Sequence, residues 1–383
     1  MRIAVIYRYY PAFLRDTYMQ DPGLDSLPYE EQHRALMDRL FAQADAYGRG
    51  LAGHGVPAID LVMNAMPLQQ QWLREHGGLS FRGAASRAVR RLADESLDGV
   101  HRRLLQRRIV REQIERFDAD VVLIHPVTAW SVRELRALRR NARLLVGQVA
   151  SRMPPVALLR EFDLLLSSFP HFVERFRSLG LDTEYFRHFF YSRAAAAVAP
   201  TGTPTEADAD RPIDATFVGG LDPATHRDGT AALEEICTRL PVAVWGYGAE
   251  SLTADSAIRR SFRGQLWGRE MYQVFARSKI ALNRHIDVAE GHANNMRMYE
   301  ATGMGALLLT EEAPNLADQF KPGIELVTYR DADELIAKAA YYLDHEDERL
   351  RIATAGQQRT RREHTERQRM GELIKILSPR LAR

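Results

Sequence analysis

Asparagine, arginine and glutamate are brought together in one stretch, Asn294-Asn295-Met296-Arg297-Met298-Tyr299-Glu300-Ala301-Thr302-Gly303-Met304-Gly305. A helix that opens on two asparagines and an arginine offers free backbone N–H groups and a guanidinium. Together these suit an anion such as a diphosphate. Glu300, a turn and a half in, either accepts hydrogen bonds from a sugar or ribose hydroxyl or pairs with Arg297 at i,i+3. Asn294 and Asn295 can cap the helix, a role compatible with ligand contact. Gly219-Gly220 follows an apolar run and lets backbone approach a phosphate closely, or forms an ordinary strand-to-helix turn. The histidines are the candidates for proton transfer, because their reference pKa near ~6.5 suits neutral pH. His125 and His171 follow strands of the first half and His285 a strand of the second, while His292 lies in the loop after it. Each can equally be a hydrogen-bonded structural histidine. Asp16 and Glu30 are alternative bases.

These groups need strands that end beside them. Met296, Tyr299 and Glu300 recur at helical spacing, Gly303 and Gly305 stop the helix, and Ala306–Leu309 reads as a strand buried on both faces. Upstream, Ile3–Tyr7, Val56–Val62, Val121–Ile124, Arg143–Gly147 and Phe162–Leu166 read as strands, the last three each followed by a helical pattern. Pro11–Glu31 reads as a long loop, and Glu31–Ala52 as one helix with Leu36, Leu40, Ala44 and Tyr47 on a face. The pattern restarts with strands Ala215–Val218, Val242–Trp245, Lys279–Asn283 and Leu326–Val327. Strands alternating with helices predict parallel sheets whose ligand crevices lie at the carboxyl ends of the strands.

The chain has 383 residues, enough for two domains, and its 45% hydrophobic and 27% charged content is that of a globular protein. No apolar run reaches the length of a membrane span, and the N-terminal apolar run is too short for a signal peptide. Cys237 is the single cysteine, which excludes an internal disulfide, reads as a buried structural thiol and suits a cytoplasmic location. A net charge of +2 gives no reason to expect a nucleic-acid partner. Asp-x-Asp occurs at Asp118-Asp120, Asp208-Asp210 and Asp331-Asp333. The first precedes a strand, the second lies in a linker and the third opens a helix, so no metal site is expected.

The central stretch resembles the donor-site signature of GT-B-fold glycosyltransferases, in particular the CgeB-like (spore maturation protein-like) group. That signature is a strand ending in Asn, a loop, an Asn-Met-Arg-x-(Phe/Tyr)-Glu-Ala-x-Gly helix and a Leu-Leu-Leu-Thr strand. Here the pieces are Ile280–Asn283, the loop from Arg284, the helix above and Leu307–Thr310. The resemblance implies α/β architecture with two Rossmann-like parallel-sheet domains facing across a cleft. Residues 1–193 would form the acceptor-side domain, 194–212 a linker, 213–365 the nucleotide-sugar domain, and 366–383 a helix packing back on the first.

The resemblance further implies a metal-independent enzyme with no cofactor, which moves a sugar from a nucleotide-diphosphate donor to an acceptor hydroxyl. Glu300 would correspond to the second glutamate of an E-x7-E motif and bind the ribose. His292 stands where the first would be, and Glu290 lies ten residues before Glu300. Gly219, Gly220, Arg227, Tyr247, Asn294, Asn295, Arg297 and Glu300 would hold the donor. Arg227 would reach the diphosphate and Tyr247 would stack on the base, or each is a solvated surface residue. His125, His171 and His285 are the catalytic candidates. The basic run Arg102-Arg103, Arg107-Arg108 and Arg111 is either the solvated face of an amphipathic helix or a dock for an anionic acceptor.

Overall fold

The computed structural model describes residues 1–77, 99–198, 211–224 and 226–382. Two compact units emerge. Unit 1 contains Met1–Ser167, Val173–Glu184 and Met370–Arg383; unit 2 contains Ser168–Phe172 and Tyr185–Arg369. The crossing into unit 2 therefore begins at Tyr185, ahead of the expected linker. Within that linker, Ser192–Val198 is helical, and residues 199–210, with Asp208 and Asp210, lie outside the described residues.

Unit 1 is built on six strands: β1 (Ile3–Tyr7), β2 (Ala58–Val62), β3 (Val121–Ile124), β4 (Leu144–Val149), β5 (Leu164–Ser167) and β6 (Thr183–Tyr185). Their order in the sheet is β2-β1-β3-β4-β5-β6. The pairs β1–β2, β1–β3, β3–β4 and β4–β5 are parallel. Every residue of β1, β3, β4 and β5 is buried, which is why these strands read as unbroken apolar runs. The last helix, Glu366–Leu381, belongs to unit 1 from Met370 onward. There Arg143 donates to the Leu381 carbonyl (2.6 Å) and Arg380 pairs with Asp182 (2.6 Å) and Glu184 (2.9 Å).

Two expectations for this unit fail. Pro11–Glu31 is not a loop: it holds helix Pro11–Gln20, a short 3-10 turn and the start of helix Tyr29–Asp38. Proline at the first helical turn opens Pro11–Gln20, and Phe13, Leu14 and Thr17 are its buried side. The single helix over Glu31–Ala52 is two, Tyr29–Asp38 and Ala46–Ala52. Between them Leu40, Ala42 and Ala44 take positive φ angles of 57°, 51° and 41°. Leu40, Phe41, Ala44 and Tyr47 are nonetheless buried, and the Phe41 ring stacks on Phe13 at 4.0 Å. Burial of roughly 1.5–3 kcal/mol per large apolar side chain offsets the unfavourable backbone.

Unit 2 is built on β7 (Ile213–Gly220), β8 (Ala243–Tyr247), β9 (Ser278–Asn283), β10 (Leu307–Glu311) and β11 (Val327–Tyr329), in the order β11-β10-β9-β7-β8 with every pair parallel. Its core joins Phe217, Leu233, Val244, Ile280, Leu309, Leu335 and Ile352. The chain leaves β7 toward β8 on one side and returns through β9 on the other. The carboxyl ends of β7 and β9 thus flank a topological switch point, where such sheets leave a crevice.

Candidate active site

Unit 2 assembles its polar residues at that switch point. β7 ends in Gly219-Gly220 and leads to helix Arg227–Arg239; β9 ends in Asn283 and leads through a loop to helix Met296–Gly303. Close approach sets the glycines. A Cβ on Gly220 would lie 2.3 Å from Nε2 of His226, and one on Gly246 would lie 1.8 Å from the Gly219 carbonyl oxygen. Gly246 also sits at φ 153°. A side chain at either position would push apart the turn that the β7 and β8 ends share.

The loop after β9 is pinned by asparagines. Asn283 donates to Thr310 (2.8 Å) and accepts from Asn295 (2.7 Å), which also donates to the Arg284 carbonyl (2.7 Å). Asn295 is the residue ahead of helix Met296–Gly303, but its side chain does not cap it. The buried Oδ1 atoms of Asn294 and Asn295 have no hydrogen-bond partner among the described residues, and neither has either ring nitrogen of His285. His285 is buried, and burial pushes its pKa down to about 4, so the ring is neutral at pH 7. Buried polar atoms are seldom left unmade, and a cluster of four beside a strand end calls for a ligand or water.

Arg284, expected only as the start of a loop, is the most telling side chain of the site. It is partly buried, it forms no ion pair within 4 Å among the described residues, and its pKa is lowered by burial. Among the described residues its side chain donates only to the His226 carbonyl, at a long 3.5 Å. Its guanidinium occupies the space of a side chain at Gly229, in the first turn of helix Arg227–Arg239: a Cβ there would be 0.7 Å from Nη1. Glu311, whose carboxyl is raised by burial, accepts the His285 backbone N–H (2.6 Å) and lends Arg284 only a distant opposite charge. Asp287 and Asp228 likewise act on it only at a distance, and a guanidinium held at a helix N-terminus with no carboxylate in ion-pair contact among the described residues is a ready anion site. The signal available in the sequence was an arginine directly after a strand-ending asparagine.

The other expected donor residues fall around the same point. Arg227 is exposed at the helix start. Arg297 donates to the Val218 carbonyl (3.0 Å) and is ion-paired with Glu300. Glu300 itself is 1% exposed, so the local i,i+3 pair weighed at sequence level is formed. Tyr247 is 37% exposed, its ring near-parallel to Trp267 at 6.3 Å.

The catalytic candidates separate. His125, at the end of β3 before a cis peptide to Pro126, stays in unit 1, where its ring stacks on Tyr7 (5.6 Å). His171, expected with the first half, groups instead with unit 2. The reason is its partners: Nε2 is 3.2 Å from the Val288 carbonyl and 4.0 Å from Glu290, and the ring stacks on His292 at 5.1 Å. Glu290 turns through a left-handed conformation (φ 48°) to place its carboxylate there. Long-range ring contacts of this kind leave no mark on local sequence.

Residues 227–375 match the family model described as "Glycosyl transferase-like". No curated protein matches the chain in sequence. Among solved structures, Anabaena Alr3699/HepE in complex with UDP and glucose aligns over 99% of this chain and 100% of its own, with a TM-score of 0.57 and 12% identity. A glycosyltransferase from Rickettsia africae ESF-5 aligns over 99% and 98%, at TM-score 0.56 and 10% identity. Sucrose-phosphate synthase from Thermosynechococcus elongatus aligns over 99% of both chains, at TM-score 0.56 and 13% identity. The likeness is one of fold: the α/β architecture of two parallel sheets is that of GT-B glycosyltransferase structures. No helix among the described residues is long and apolar enough to cross a membrane.

Proposed function

We propose that this protein is a metal-independent glycosyltransferase of the CgeB-like group, transferring a sugar from a nucleotide-diphosphate donor to an acceptor hydroxyl. The observation that carries the reading is the set of buried polar atoms on Asn294, Asn295 and His285 without a partner among the described residues, beside an Arg284 guanidinium that has no carboxylate within 4 Å there. The UDP held by Alr3699/HepE, and the Asn-Met-Arg-x-Tyr-Glu-Ala-x-Gly helix, support a nucleotide-sugar as the ligand.

In this reading Arg284 and Arg227 bind the diphosphate, while Gly219 and Gly220 let backbone N–H groups approach it. As the sugar leaves, negative charge accumulates on the diphosphate, and fixed guanidinium and N–H donors stabilise it without reorganising. Glu300 is committed to Arg297, so its share in donor binding is exerted through that guanidinium. The exposed face of Tyr247 takes the base. Metal independence is supported by the other duties of the aspartates: Asp120 accepts the Arg2 N–H (2.8 Å), and Asp331 caps its helix at Glu334 N (2.8 Å). Neutral His285, with Asn294 and Asn295, hydrogen-bonds the sugar. His171, faced by Glu290, is assigned to proton transfer, and His125 is assigned to the acceptor hydroxyl on unit 1.

Calorimetry with UDP, GDP, TDP, CMP and ADP tests the site. One nucleotide should bind the wild type and bind Glu300→Ala more weakly by about 1–3 kcal/mol, as for a lost hydrogen bond to a charged group. Failure of every nucleotide to bind the wild-type protein would sink the proposal. Donor turnover that proceeds equally without acceptor would reassign the chemistry to hydrolysis or epimerisation.

A further inference from the structure

Unit 1 has its own switch point, between β1 and β3, and the chain places a basic cavity there. Its volume is about 590 Å³, the size of a small-molecule site. It lies where β1, β2 and β3 end. Arg8, Arg15, Arg102, Arg103 and Arg107 line it, and among the described residues no carboxylate does.

Two of the five arginines are built in. Arg107 donates to the Ala129 carbonyl and to Glu134 (3.2 Å) and lies 3.6 Å over the Trp130 ring. Arg103 forks onto both oxygens of that same Glu134 (3.0 and 2.8 Å). One carboxylate thus serves two guanidiniums, and Ser131 also donates to it through its backbone N–H (2.7 Å) and hydroxyl (2.8 Å). Burial pushes Arg107 down to about 10, still charged at neutral pH. Arg8 and Arg102 are exposed and make no ion pair within 4 Å among the described residues; Arg15 has only Asp16 at 3.9 Å. Leu14, Met63 and Met66 add apolar surface to the lining, Met63 Sδ accepting from Arg107 (3.0 Å). Gathering five like charges costs energy unless an anion joins them.

We propose that this cavity binds the phosphate group of a sugar-sized ligand, with Arg8 and Arg102 closing on oxygens against a floor fixed by Arg103 and Arg107. Paired guanidiniums match phosphate geometry, and the volume leaves room for one sugar unit beyond it. Naming that ligand the acceptor rests on the glycosyltransferase reading; the anion site itself does not.

The test uses the full chain. Wild type and the double variant Arg8→Gln/Arg102→Gln are titrated with glucose, glucose 6-phosphate and inorganic phosphate, and floated with phosphatidylcholine vesicles with and without phosphatidic acid. Both replaced side chains are exposed, so Tm should stay unchanged, and Arg133→Gln serves as a second basic variant away from the cavity. Glucose 6-phosphate should bind at least about tenfold more tightly than glucose, and the double variant alone should lose that advantage. Capture by phosphatidic acid vesicles alone, lost in the double variant, would make the phosphate lipid-borne. Equal binding of phosphorylated and neutral probes, or a double variant that behaves as wild type, overturns the site. Nucleotide binding is read in parallel: its absence with phosphate binding intact would sink the glycosyltransferase reading and spare this one.

Discussion

Arg284 and Glu300 carry opposite lessons about what a charged side chain does at a strand end. Glu300 is buried and satisfied by Arg297, so removing its carboxylate releases a guanidinium that it had held in place, and the loss in donor binding is indirect. Arg284 is the reverse: a partly buried cation with no carboxylate within 4 Å among the described residues, Glu311, Asp287 and Asp228 acting on it only from further off. Its desolvation is a standing cost that an anion relieves. Arg284→Ala is therefore expected to weaken a nucleoside diphosphate by about 1.5–3 kcal/mol while leaving the parent nucleoside almost untouched, because only the diphosphate supplies the missing charge. The same substitution should not lower Tm in the absence of nucleotide. Calorimetry with the two ligands checks the first point and a melt the second; equal losses for nucleoside and diphosphate would remove Arg284 from the site. For proton transfer, His171→Ala should cut kcat by about 10²–10⁴-fold with little change in nucleotide affinity, the loss expected of a general base or acid. A matching fall in affinity would mean that the ring only props the loop at Val288 and Glu290.

At the scale of elements, helix Arg227–Arg239 serves the site by what its first turn lacks. Alanine in a helix is ordinarily favoured over glycine by up to ~1 kcal/mol. At Gly229 it would occupy the space of the Arg284 guanidinium, which would swing out to solvent. Gly229→Ala should thus reproduce the nucleotide defect of Arg284→Ala while holding or raising Tm; unaltered affinity would show that Arg284 is not fixed by that packing. Such an arrangement also marks what sequence can convey. The strands of both sheets were legible because parallel strands buried on both faces appear as short apolar runs. Gly219-Gly220 and the helix from Met296 were legible because each is punctuated locally by glycine or asparagine. The break after Asp38 was hidden, since Leu40 and Ala44 keep a helical pattern of burial while taking left-handed backbone angles. Thr183–Tyr185 was too short and too polar to read as a strand. The setting of Arg284 and the attachment of His171 to unit 2 depend on neighbours 55 and 117 or more residues away, as with Gly229 and Val288, and no local window contains them.

The chain as a whole has two units whose stabilities should answer pH differently. In unit 2, burial holds His188, His285 and His364 down at about 4. Their unfolded values lie near ~6.5, so the unfolded chain binds more protons between those values. Stability from these rings is complete above ~6.5 and is lost as pH falls toward 4, by up to roughly 3 kcal/mol for each ring. In unit 1, Asp60 works the other way. Burial raises its carboxyl to about 7, opposed by the hydrogen bond from Tyr7 (2.9 Å). The folded state there holds a proton that the unfolded state has released, so stability is present below ~4 and is lost as pH rises through 7. His33, whose ring lies 2.8 Å from the Asp60 carbonyl oxygen and is lowered by burial, opposes that slope. Two units need not melt as one transition. Calorimetric melts from pH 8 to pH 5 should accordingly show the unit 2 transition falling steeply and the unit 1 transition moving less. Asp60→Asn should remove the opposing contribution and leave unit 1 governed by His33, so that its transition also falls on acidification. A unit 1 transition with the same pH slope in wild type and Asp60→Asn would mean that Asp60 is ionised throughout, and that the cavity beside it admits enough water to solvate the charge.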